Sequence, residues 1–149
     1  MVKFAISYQV HEHGWASVAL SDGRTTIERP VSCLHDSLLD LARMALSLKA
    51  GHAESMARFL DEPGELQLVV IRDGHQAKYT VRWFSEESRG GMFSAEDGDI
   101  LLEGTTTPVR IVQQITQVLW KIHEQIGVKE YRNRWQADFP LREYQQLSG

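Results

Sequence analysis

The sequence predicts an α+β fold. The expected architecture is a single antiparallel β-sheet of about 6–8 strands in meander hairpins, with two main helices mostly on one face and a short C-terminal helical segment. Three observations predict it. Asp22-Gly23 and Asp73-Gly74 each sit between apolar-patterned runs, and Asp-Gly readily supplies the positive φ of a tight hairpin. Ala77, Tyr79, Val81 and Trp83 alternate with Lys78, Thr80 and Arg82, the period of a half-buried strand. Two stretches, from about residue 38 and from Ile111, carry apolar residues at helical spacing.

The elements follow in order. Phe4, Ile6, Tyr8 and Val10 form one apolar face of a first strand. His13-Gly14 offers a turn, Trp15 to Leu20 a second strand, and Arg24 to Arg29 a third that ends at Pro30, which has no N–H to donate. Leu38, Leu41, Ala42, Ala45 and Leu46 predict a helix, broadened by Leu34, Leu39 and Leu48, with Ser32 or Asp36 as cap and Lys49-Ala50-Gly51 as stop. Met56 to Asp61 and Leu66 to Arg72 are strands about a turn at Glu62-Pro63-Gly64-Glu65. Ser85 to Gly91 reads as a loop, and Met92 to Ala95 with Ile100 to Glu103 as a last hairpin. Thr107 before Pro108 is an N-cap followed by proline at the first helical position. Ile111, Val112, Ile115, Val118, Leu119, Ile122 and Ile126 then form the stripe of a helix that Gly127 ends. Lys129 to Trp135 is a shorter helix, and Phe139-Pro140 opens a final turn or helix.

A chain of 149 residues suits one domain, expected over 1–149. Apolar residues are 42% and charged residues 24%, an ordinary globular balance. Lone Cys33 rules out an intramolecular disulfide and a cysteine-built zinc cluster. The opening residues hold no apolar run of signal-peptide length, and the run Leu68 to Ile71 is too short to span a bilayer, so the expected location is the cytoplasm, with no membrane partner. Sixteen Lys and Arg against 20 Asp and Glu give a net charge of −4, the wrong sign for a dedicated nucleic-acid binder.

Catalytic signatures are missing. No phosphate-cradling or dinucleotide glycine motif, nucleophile elbow or His-Glu-x-x-His pair occurs. Cys33, between Val31 and Leu34, reads as a small buried hydrophobe rather than a nucleophile. His11 and His13 would share a face of an extended strand, yet two imidazoles do not complete a metal site, and no metal or other cofactor is expected. Asp36 and Asp40 share a helix face at i, i+4, where Asp36 also suits the positive end of the helix. Two features point instead to binding. Glu86, Glu87, Glu96, Asp97 and Asp99 cluster in a glycine-rich stretch and are the expected contacts for a basic partner. Trp120 lies off the apolar stripe of its helix, so it either packs under the closing segment or sits at an interface; cover by Tyr131, Trp135 and Phe139 is the expectation.

Several runs carry a family resemblance. They are Ser37-Leu38-Leu39-Asp40-Leu41-Ala42-Arg43, Glu62-Pro63-Gly64-Glu65, Arg72-Asp73-Gly74, Val81-Arg82-Trp83-Phe84, Tyr131-Arg132-Asn133-Arg134-Trp135 and Phe139-Pro140-Leu141. Together they resemble a bacterial family of small α+β proteins, some encoded beside toxins as immunity proteins. The resemblance covers most of the chain after Pro30, and the closing Tyr-Arg-x-Arg-Trp and Phe-Pro element is its most distinctive part. It implies a non-enzymatic immunity protein that neutralises the cognate toxin domain of a contact-dependent or related polymorphic toxin system by direct binding. Such proteins are often acidic because many of their targets are basic nucleases. The alternative reading is a small enzyme or ligand-binding domain with a pocket between sheet and helices.

Overall fold

A computed structural model of the chain describes residues 4–85 and 98–148. In chain order the elements are β1 (Ala5–Val10), β2 (Trp15–Ser21), β3 (Thr26–Ser32), α1 (Ser37–Lys49), β4 (Glu54–Asp61), β5 (Gly64–Asp73), β6 (Gln76–Phe84), β7 (Asp99–Thr106), α2 (Pro108–Gln125), α3 (Val128–Trp135) and α4 (Leu141–Ser148). The α+β class is as expected, but the single sheet is not. The strands form two antiparallel sheets, β1-β2-β3 and β4-β5-β6-β7. Pro30 in β3 offers no N–H for a ladder, and α1 stands between β3 and β4 in the chain. The two meet through side chains at the end of β4 instead, with Arg29 lying 3.8 Å from Asp61 and Ser32 Oγ donating to Glu62 in the turn that follows β4. The expected strand from Met92 to Ala95 falls outside the described residues, while Ile100 to Glu103 lies within β7.

Local signals account for the hairpins. Asp22 Oδ1 accepts the N–H groups of Arg24 at 2.9 Å and Thr25 at 2.8 Å, while Gly23 takes φ 95° between β2 and β3. Those backbone donors hold the Asp22 carboxyl below the usual carboxylate range. Between β5 and β6, Gly74 takes φ 60°, and Asp73 pairs with Gln76 across a two-residue loop.

The β6 register is also as the alternation predicts. Ala77, Tyr79 and Val81 are buried and Trp83 half-buried, while Lys78 is exposed. Ala57, Leu68, Val81 and Leu102 line up across the four strands and put one face of the sheet into the core. That core is continuous with Leu38, Leu41, Ala45 and Leu48 of α1, Ile111, Ile115 and Ile122 of α2, and Ala16, Val18 and Leu20 of β2. Helix α1 packs on β4 and α2, α2 packs on β1, and α4 packs on both helices. Thr107 caps α2 by accepting Arg110 N–H at 3.1 Å. No described helix is long and apolar enough to cross a membrane.

Candidate binding surface

Of the five acids expected to meet a partner, Glu86, Glu87, Glu96 and Asp97 lie outside the described residues. Asp99 opens β7, exposed and paired across the ladder with Trp83. Its ladder row, Phe59, Leu66, Trp83 and Asp99, belongs to the core side of the four-stranded sheet, whereas its chain neighbour Ile100 lies in a row of the face that points away from the core. Cross-strand rows set the composition of that face: Glu54, Ile71, Lys78 and Thr105 in one, Met56, Val69, Thr80 and Glu103 in the next. A third row runs Arg58, Gln67, Arg82 and Ile100, and Arg82 Nη1 donates to Gly98 O at 3.0 Å. Met56, Ile71 and Ile100 are each nearly half exposed there, at 46%, 49% and 48%. The face thus mixes isolated apolar side chains with charges of both signs.

One end of this face departs from the sequence expectation. Glu65 is fully buried and Gln67 nearly so. Arg58 donates to both Glu65 carboxylate oxygens, at 2.9 and 3.0 Å, and Gln67 Nε2 donates to the same group. A bidentate guanidinium and a neighbouring amide satisfy a carboxylate that burial would otherwise penalise. The sequence signal was there to find, since Glu65 and Gln67 alternate with Leu66 and Leu68, but its partner Arg58 is on another strand.

The candidate chemical residues have structural partners. Asp36 caps α1, accepting Leu39 N–H at 3.4 Å and Trp135 Nε1–H at 3.3 Å. Burial raises its carboxyl above the usual range. Asp40 accepts Arg58 N–H at 3.0 Å and pairs with His35 Nε2 at 2.6 Å. The i, i+4 carboxylates therefore face separate partners. The Tyr8 and Tyr131 hydroxyls are buried beside Asp36, with no hydrogen-bond partner among the described residues. His11 is hydrogen-bonded with Ser17 Oγ at 2.7 Å, whereas His13 takes φ 60° in the turn after β1. The shared strand face expected of the two imidazoles ends at Val10. Among the described residues, no three His, Cys, Asp or Glu side chains converge on a metal site. Cys33 is half-buried, and its N–H donates to Gly14 O at 2.8 Å. Gly14 takes φ 78°, and a Cβ there would lie 2.5 Å from Cys33 Sγ, so the thiol packs against the turn.

Trp120 corrects a second expectation. Tyr131 and Trp135 are fully buried, packing toward Phe139 and Tyr8, and they leave Trp120 49% exposed. It closes one end of a surface groove. A depression of about 540 Å³ is lined by Thr116, Trp120, Tyr144 and Leu147, and a second, of about 350 Å³, by Lys49, Arg72, Pro108 and Val109. Both include Val112 and Gln113, so they run end to end along α2. Val109, Val112, Thr116 and Trp120 recur at helical spacing, a second stripe about 100° from the core stripe at ~100° per residue. The sequence held that pattern, but its exposure depends on where α4 packs.

Comparison with protein-family models and with curated proteins finds no match. Among solved structures, the chain is similar to one chain of a "CdiA-CT/CdiI toxin and immunity complex from Enterobacter cloacae", with a TM-score of 0.49 and 11% sequence identity. The similarity covers 78% of this chain and 98% of that one.

Proposed function

We propose that the chain is a non-enzymatic binding protein: a cytoplasmic immunity protein that neutralises a cognate bacterial toxin domain by direct contact. The observation that carries this reading is the outward face of β4–β7. Met56, Ile71 and Ile100 are exposed there among Glu54, Lys78, Arg82 and Glu103, and in the sequence the cluster of acids closes at Asp99, next to Ile100 in β7. Apolar anchors set among charges provide contact area and orientation without requiring a deep pocket. The acids favour a basic partner, and the resemblance of the Tyr131–Trp135 and Phe139–Leu141 runs supplies the partner class.

Co-expression tests the proposal. The toxin domain encoded next to this chain should arrest growth alone, and growth should resume when this protein is co-produced and co-purifies with it. Arrest that persists despite soluble protein, with no complex recovered, would overturn the reading.

A further inference from the structure

The groove along α2 has two ends of opposite electrostatic character. At one end stand Lys49, in the last turn of α1, and Arg72, whose Nη1 donates to Leu48 O at 2.6 Å and so holds the guanidinium at the rim. These are the charged side chains among the groove's described lining residues, and both are cationic. At the other end stand the half-exposed Trp120 ring and Tyr144. The depression they line also receives Leu147 and Ser148 from the final turn of α4, which carries no basic side chain to offset its terminal carbonyls. A π face and helix C-terminal carbonyls both attract cations. Val109, 64% exposed, and Val112 form the apolar floor between the two ends.

We propose that this groove pairs two copies of the chain across a twofold axis, with their α2 helices antiparallel. Lys49 and Arg72 of each copy then lie against Trp120 and the α4 end of the other. The antiparallel arrangement brings unlike ends together twice, whereas a parallel one would set the cationic ends against each other. Elsewhere the net charge of −4 on each chain disfavours self-association. From Val109 to Trp120 the helix spans ~17 Å, at about 1.5 Å per residue. A contact of that length belongs among small, reversible interfaces, so the pair should dissociate on dilution.

Light scattering across about two decades of concentration tests the pairing. The wild-type mass should climb from one chain toward two. The Trp120→Lys variant, folded by circular dichroism, should remain at one chain, because it sets a third cation against Lys49 and Arg72. Adding Lys49→Glu to that variant should restore part of the pairing. A wild-type chain that stays monomeric throughout would overturn the proposal, as would a Trp120→Lys variant that pairs like wild type. Failure of the double variant to recover would reject the antiparallel pairing. A monomeric wild type whose Trp120→Lys variant loses the co-expressed toxin domain would assign the groove to that partner instead.

Discussion

Asp36 shows how one carboxyl can be drawn away from chemistry. It caps a helix, receives an indole N–H from a residue 99 positions later, and is buried enough to favour its protonated form. An acid whose folded pKa is raised binds its proton more tightly in the native state than in the unfolded one. The charged form therefore costs stability as pH rises above the ordinary carboxylate range, and that cost disappears as pH falls below it. Asn also caps helices but carries no charge. The stability of Asp36→Asn relative to wild type should therefore rise between about pH 3 and pH 7, followed by denaturant melts at each pH. A relative stability that falls over this interval would show that the carboxylate is held by favourable bonds, and the burial account would be wrong.

The elements that could be read from the sequence are those with local causes. The Asp-Gly hairpins need only a positive φ within the turn, the β6 face needs only a period of two, and α2 begins where Thr107 and Pro108 stand together. Thr107→Ala should accordingly lower stability by about 1 kcal/mol, as a midpoint shift at unchanged denaturant slope, with Thr107→Ser recovering most of it. An unchanged midpoint in the alanine variant would mean the cap bond is replaced by solvent. What could not be read depended on distant partners. Strand β3 meets the end of β4 and the turn after it through side chains, Arg29 to Asp61 and Ser32 to Glu62, rather than a ladder, which divides the sheet. The exposure of Trp120 is set by α4 and by the burial of Tyr131 and Trp135 elsewhere. For the binding surface, the acidic stretch and the polar side of β6 were visible, but the company of Met56, Ile71 and Ile100 was a matter of register between strands.

For the whole molecule, charge and topology have separate consequences. If a basic toxin meets the acid-rich edge, neutralising Glu86, Glu87, Glu96, Asp97 and Asp99 together to Gln or Asn should slow association and flatten its salt dependence. Stopped-flow rates across a salt series would measure this, and wild-type rates in the variant would place the contact elsewhere. Topology sets a different clock. Phe4 O accepts Arg110 Nε–H at 2.9 Å, Ile6 N–H donates to Gln114 at 3.2 Å, and Gly14 N–H donates to Arg134 O at 2.7 Å. The first strand and its turn are thus fastened by residues made more than 100 positions later. On a ribosome these bonds wait for α2 and α3, and closing so long a loop precedes the contacts that reward it. Strand β1 can pair with β2 as soon as both have emerged, but its outer bonds close only once α2 and α3 have been made; if the chain is an immunity protein, the protection it gives would wait for them.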